Sequence, residues 1–231
     1  MDNDDSRDPA RAPGRIFIVG CPRSGTTFLQ HALARHPQVL SLPETGFFDQ
    51  ILNQSGNWLA RRELRDSSNW LGLARGRTHR SAPRLLRSLA QELGLPPESS
   101  RPHWSLQGYI DRFVALLDAG ARHHGRHVWI EKSPIHVAYV DLIAERVPDA
   151  KFIHVLRNGE DVLASVIDAG LQYACCEKAS GFDRWIPYWV SFWNRAMCAH
   201  LNYLEQEAGR ERHCFVCHED LVDQFASESR R

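Results

Sequence analysis

The residues best suited to chemistry lie near the start of the chain, where Gly20, Cys21, Pro22, Arg23, Ser24, Gly25, Thr26 and Thr27 follow an apolar run. Two glycines at phosphate-loop spacing, between a strand and a helix, let backbone N–H groups turn inward and cradle an anion. The opening of the helix adds unpaired amides and the positive end of its dipole, and Thr26 and Thr27 add hydroxyl donors. A nucleotide triphosphatase places Lys directly after the second Gly, whereas this sequence has Thr26 there and carries its cation inside the loop, at Arg23. No strand ends in an Asp suited to magnesium, because Phe152 to Leu156 runs into Arg157. The expected chemistry is therefore the binding of a phosphate ester without a metal. A ligand-free turn would not need two glycines, an Arg and three hydroxyl residues in one short loop.

With its apolar strand, this loop resembles the 5′-phosphosulfate loop of sulfotransferases that use 3′-phosphoadenosine 5′-phosphosulfate. In that family a later strand runs into an Arg, and a Ser eight residues on joins it in holding the donor's 3′-phosphate; Arg157 and Ser165 match that spacing. An Arg fork at a strand's carboxyl end and a hydroxyl early in a helix can converge on one phosphate. Asn158 and Asp161 have the spacing of an N-cap pair for that helix.

The stretch from His36 and Pro37 to Glu44 and Thr45 is similar to the tyrosylprotein sulfotransferase segment whose Glu is the catalytic base. Ile130, Glu131, Lys132, Ser133 and Pro134 resemble the family's Lys-x-Pro element, whose Lys steadies the transferring group. The resemblance implies Glu44, Lys132 and Arg23 as catalytic residues. It implies Arg23, Ser24, Gly25, Thr26, Thr27, Arg157 and Ser165 as the donor site, with no metal and a hydroxyl-bearing acceptor, either a small molecule or peptide tyrosine. It covers Arg15 to Thr45 and Val128 to Gly170, and more faintly Cys217 to Leu221, where His218 replaces the Tyr of many relatives. Such enzymes usually continue into a segment that covers the adenosine. This sequence stops at Arg231, so the domain expected over 15–231 is C-terminally short. A small-molecule kinase or nucleotide triphosphatase is the rival enzyme reading, and a non-catalytic nucleotide-binding protein the rival of another class.

These residues need a scaffold that brings strand ends to one edge. Arg15 to Gly20 reads as a buried strand, Ser24 to His36 as a helix stopped by Pro37, and Gln38 to Leu42 as a second strand. Helices are expected between Glu44 and Pro102, including Arg84 to Leu93, then over Tyr109 to His123 with Gly125 ending it. A strand at His127 to Glu131, a helix at Ile135 to Arg146, a strand at Lys151 to Leu156 and a helix at Glu160 to Gly170 follow. A long helix over Asp183 to Gly209 and a strand at His213 to His218 complete the pattern. Strands alternating with helices predict a single α/β domain with a central parallel sheet, like that of P-loop NTPases and sulfotransferases.

Composition narrows the classes further. The 231 residues are 43% hydrophobic and 24% charged, ordinary for one globular core, and the 28 basic residues balance 28 acidic ones. A sequence-independent grip on nucleic acid or an anionic membrane has no support from that balance. Residues 1–14 are acidic and Pro-rich with no apolar core for a leader, and read as a disordered tail on a cytoplasmic protein. The six cysteines are expected to be reduced. Trp185, Trp189 and Trp193 form a helical stripe expected in the core. His123, His124 and His127 sit near a helix end, and Cys214 and Cys217 fall on opposite faces of a strand, so neither set predicts a metal.

Overall fold

The computed structural model describes residues 12–52, 76–96, 103–147, 149–172, 182–205 and 210–223. Five strands, β1 (Gly14–Gly20), β2 (Val39–Ser41), β3 (Val128–Lys132), β4 (Ala150–Leu156) and β5 (His213–Cys217), form one sheet in the order β2, β3, β1, β4, β5. All four pairings are parallel, so every strand delivers its carboxyl end to the same edge. That edge holds the Gly20–Thr27 loop at its centre, Lys132 on one side and Arg157 on the other.

The sheet is covered on both faces. Phe17 and Val19 of β1 point into the larger core, where Phe17 meets Trp129 edge-on at 5.3 Å and stacks on Phe152 at 5.9 Å. α2 (Phe47–Leu52) and α4 (Leu106–His123) close this side, with Phe47 stacked on Phe113 at 4.1 Å. Ile18 points the other way, with Ile130 and Val155, against Leu29 of α1 (Thr26–Leu33) and Leu221 of α8 (His218–Asp223). Burying each such aliphatic or aromatic side chain contributes about 1.5–3 kcal/mol, and the period-two alternation of β1 fixes which face each residue serves.

The remaining helices are α3 (Gly76–Glu92), α5 (Val140–Arg146), α6 (Gly159–Gln172) and α7 (Phe182–Glu205). Several bounds differ from the sequence expectation for local reasons. α1 ends at Leu33, not His36, because Arg35 and His36 N–H groups bond three residues back, to Ala32 and Leu33. α4 starts at Leu106 because Ser105 Oγ accepts from the Gly108 N–H at 3.0 Å. The helix expected over Ile135 to Arg146 is a 3₁₀ turn (Pro134–Tyr139) followed by α5, broken where Tyr139 leaves helical geometry at φ −122. β5 ends at Cys217, and His218 opens α8, which the sequence reading did not anticipate. Of the expected tail, residues 1–11 lie outside the described residues, while Gly14 already pairs with Val128 in the sheet. Residues 53–75 and 97–102, within the expected helical stretch, and 206–209, the last residues of the expected long helix, also lie outside them.

Candidate active site

The loop after β1 is built around backbone that other side chains could not adopt. A Cβ on Gly20 would fall 2.7 Å from the Val155 carbonyl oxygen and 2.9 Å from Ser24 Oγ. Gly25, the N-cap of α1, has φ 88 and leaves no room for a Cβ beside His218. Arg23 adopts φ 72, the only positive value among described non-glycine residues. Such a conformation costs roughly 1–2 kcal/mol for an L-residue and persists where its surroundings impose it.

Two of the residues that the sequence groups with Arg23 reach it here. Arg157, at the carboxyl end of β4, donates from Nη1 to the Arg23 carbonyl at 2.8 Å. Arg23 Nε donates to Ser165 Oγ, on α6, at 3.1 Å. Asn158 Oδ1 accepts from the Glu160 N–H at 2.8 Å, so it caps α6 two residues on. Trp193 of α7 donates to the Arg157 carbonyl at 3.0 Å, and Glu219 of α8 accepts from the Asn158 N–H at 2.9 Å. Burial pushes the Glu219 carboxyl up, but its bonds to the Asn158 N–H and its own N–H, with His218 and Arg157 nearby, bring it below the usual carboxylate range.

Five buried side-chain polar atoms have no hydrogen-bond partner among the described residues, and three of them, Ser24 Oγ, Arg157 Nε and His218 Nδ1, surround this loop. An unsatisfied buried polar atom costs about 1–3 kcal/mol, so their grouping fits a bound polyanion. His218 also packs its ring edge-on to Phe28 at 6.5 Å, and burial followed by the nearby Arg157 lowers its pKa.

On the other side of β1, Lys132 is the last residue of β3 and lies in register with Ile18. The segment after β2 is drawn to it: the Leu42 N–H donates to Ile130 O at 3.0 Å, and Gln30 of α1 donates to Ser41 Oγ at 3.0 Å and to Leu42 O at 2.5 Å. Two residues further on, Glu44 Oε2 meets Lys132 Nζ at 2.6 Å. The Lys132 side chain is 8% exposed and that of Glu44 52%, so a buried ammonium carries a carboxylate that reaches solvent. Lys132 thus pairs with Glu44 and not with its neighbour Glu131. An ammonium has three donors, and Glu44 occupies one of them.

Residues 13–231 match the sequence profile of the sulfotransferase family. The chain belongs to the sulfotransferase family. An uncharacterized protein of Aquifex aeolicus is 31% identical over 197 residues, covering 85% of this chain and 22% of that protein. A protein-tyrosine sulfotransferase of Drosophila melanogaster is 26% identical over 210 residues, covering 90% of this chain and 34% of the relative. The chain thus spans about a fifth to a third of the length of these two relatives. Among solved structures, the sulfotransferase domain from the curacin biosynthetic pathway superposes with a TM-score of 0.51 at 22% identity, over 94% of this chain and 71% of that one. The single α/β domain with its parallel five-stranded sheet has the P-loop-like sulfotransferase fold.

Within this member of the sulfotransferase family, two groups of sequence-predicted residues come together, Arg23 with Arg157 and Ser165, and Glu44 with Lys132. Thr26 is buried at the loop and Thr27 exposed. The tryptophan stripe departs from its expected place. Trp185, Trp189 and Trp193 are half-buried against the core, and Trp189 and Trp193 line a cleft of about 420 Å³ between α6 and α7. Cys21 is a free buried thiol whose pKa burial pushes up to about 12. Among the described residues, no three His, Cys, Asp or Glu side chains are grouped to hold a metal, and no helix is long and apolar enough to cross a membrane.

The sequence reading missed Glu131, Gln30 and Glu219. Glu131 is completely buried. Burial pushes its carboxyl up, but the hydrogen bonds from His136, Ser133 and Thr45 outweigh that and hold it below the usual range. A charged residue inside an otherwise apolar strand was the signal available for it, since such a residue is buried only with partners.

Proposed function

We propose that this chain is a sulfotransferase that moves a sulfuryl group from 3′-phosphoadenosine 5′-phosphosulfate to an acceptor hydroxyl, with Glu44 as general base. The observation that carries the reading is the convergence of Arg157 and Ser165 on Arg23, which joins three distant stretches of chain at one anion-binding loop. Arg23, Ser24, Gly25, Thr26 and Thr27 would hold the donor together with Arg157 and Ser165. The donor supplies a sulfuryl group already activated by its bond to a phosphate.

Glu44 takes the hydroxyl proton while the acceptor oxygen forms its bond to sulfur and the bond to the bridging oxygen breaks. Its electron pair leaves with 3′-phosphoadenosine 5′-phosphate. A base of this kind contributes about 10²- to 10⁴-fold when it lies within hydrogen-bond reach. Lys132 and Arg23 neutralise charge gathering on the bridging oxygen, and the loop amides pre-organise the field. Arg157 and Ser165 act at a distance from the reacting bond, so their binding energy serves to keep the donor in register.

The protein-tyrosine sulfotransferase among the relatives supports a hydroxyl acceptor, with peptide tyrosine or a small molecule as the candidate classes. The test is an acceptor screen across phenols, tyrosine peptides, sugars and aliphatic alcohols, reading release of 3′-phosphoadenosine 5′-phosphate together with the sulfate ester. The reading expects ester formation on at least one class. Tight nucleotide binding with no ester on any of them would select a non-catalytic nucleotide-binding protein.

A further inference from the structure

On the reading of Glu44 as the base, we propose that Glu131 is the positioning residue of this site: through Thr45, Ser133 and His136 it fixes the backbone that carries Glu44 opposite Lys132. Glu131 Oε1 accepts from Thr45 Oγ1 at 2.7 Å, from the Thr45 N–H at 3.3 Å and from Ser133 Oγ at 2.5 Å, while Oε2 takes His136 Nδ1 at 3.0 Å. Each of the three side chains passes the restraint on. Thr45 Oγ1 accepts from the Phe47 N–H at 3.2 Å, Ser133 Oγ from the Gly46 N–H at 2.8 Å and His136 Nε2 from the Phe48 N–H at 3.3 Å. The last bond leaves Nδ1 as the protonated nitrogen of His136, the one that donates to Glu131.

Four consecutive backbone N–H groups, 45–48, therefore hang from one carboxylate. They lead into and open α2, where N–H groups have no partner within the helix and ordinarily find a cap or water. The arrangement is also doubled. Glu131 grips Thr45 while its neighbour Lys132 grips Glu44, so adjacent residues of β3 hold adjacent residues of the loop. A buried carboxylate carries a large desolvation penalty, and apolar packing would serve stability as well. What this carboxylate adds is a fixed position for the segment beginning at Glu44. A displacement of about 1 Å at a reacting group can cost 10²-fold in rate, so that position matters to turnover.

The experiment compares Glu131→Gln, Thr45→Val, Thr45→Ser and the Glu131→Gln/Glu44→Gln double variant, with a simple phenol as acceptor. Calorimetry with 3′-phosphoadenosine 5′-phosphate runs alongside. Glu131→Gln and Thr45→Val are expected to lower kcat by roughly 10²-fold while nucleotide affinity stays within about twofold, and Thr45→Ser to retain turnover. Added to Glu44→Gln, the Glu131 change is expected to cost nothing more, because it acts through Glu44. Multiplying losses in the double variant, or an equal loss of nucleotide affinity, overturns the proposal. Amide hydrogen exchange tests it without turnover: exchange over 45–48 should quicken in Glu131→Gln, or in Thr45→Val if the first variant does not fold, with β1 and α4 unchanged. Unchanged exchange there overturns it. If Glu44→Gln alone keeps full turnover, the base reading fails, and the exchange result still judges Glu131.

Discussion

Arg157 and Arg23, 134 residues apart in sequence, are joined by a 2.8 Å hydrogen bond from one guanidinium to the other residue's carbonyl oxygen. Two guanidinium groups drawn to one loop repel each other unless negative charge lies between them, and the helix opening at Thr26 adds a third positive influence. That arrangement fits the proposed donor, which carries more than one anionic group. The loop's strained Arg23 is held by the residues proposed to bind the donor's far phosphate, so the two ends of the donor site are mechanically one.

Arg157→Ala should erase the preference for 3′-phosphoadenosine 5′-phosphate over adenosine 5′-phosphate. A charge-assisted contact of this kind is worth about 1.5–3 kcal/mol, or roughly 10- to 100-fold in affinity. Titration calorimetry of the two nucleotides checks it. Equal affinities already in the unaltered protein would remove Arg157 and Ser165 from the donor site.

Gly25→Ala should be strongly destabilising, because it combines a φ of 88 with a Cβ that would lie 2.1 Å from His218 Nδ1. The two causes separate experimentally. Adding His218→Ala should recover the part due to collision and leave a conformational penalty of about 1–2 kcal/mol. Thermal denaturation of the single and double variants measures this, and a double variant no more stable than the single one would contradict the packing of His218 on the loop.

Stability should fall in mild acid because of a buried histidine chain at the β4, β5 and α7 contact. His154 Nδ1 lies 2.8 Å from His200 Nδ1, and His154 Nε2 lies 2.9 Å from His213 Nδ1. Burial, then the neighbouring histidines His200 and His213, lowers the pKa of His154 to about 2; burial lowers that of His200 to about 4; burial and Arg212 lower that of His213 against the pull of Asp141. Tyr203, stacked on His213 at 4.8 Å and donating to Asp141, is the other titratable neighbour.

Folded values below the unfolded 6.5 mean that the unfolded chain binds protons the native state refuses. The stabilisation is present above pH 6.5 and is lost as pH falls toward the folded values. His154 alone accounts for about 2 kcal/mol between neutrality and pH 5. This window lies above the ordinary carboxylate value of 4.5, so it is distinct from loss through Glu131. Urea midpoints at pH 7 and pH 5 should differ clearly, and His154→Phe should shrink the difference. An unchanged difference in that variant would clear the chain of responsibility.

Much of the scaffold was legible because its signals are local. The alternation of Phe17, Ile18 and Val19, the glycines at 20 and 25 and the stop at Pro37 each act within a few residues. Glu44 and Lys132 could be singled out only by their order relative to the loop, and nothing local showed that they touch. Glu131 is hard to single out because a carboxylate on a strand reads much alike whether it faces water or the donors of Thr45, Ser133 and His136, and its apolar neighbours are the one hint. The histidine chain joins residues 46 and 59 positions apart, beyond any periodic pattern. α8 is six residues long, too short for a helical repeat to declare itself, yet it carries His218 to Gly25 of the loop and Glu219 to the Asn158 N–H.

In the proposed mechanism Glu44 serves the acceptor while other residues hold the donor, and Glu44→Gln separates the two roles. The change keeps size and hydrogen-bonding capacity but removes the base. In one preparation, the turnover number with a hydroxyl acceptor and the affinity for 3′-phosphoadenosine 5′-phosphate should be measured side by side. The prediction is a fall in turnover of roughly 10²-fold or more with little change in nucleotide affinity, and a smaller fall for a phenolic acceptor at high pH. Normal turnover at neutral pH, or loss of nucleotide binding by a folded variant, would contradict it.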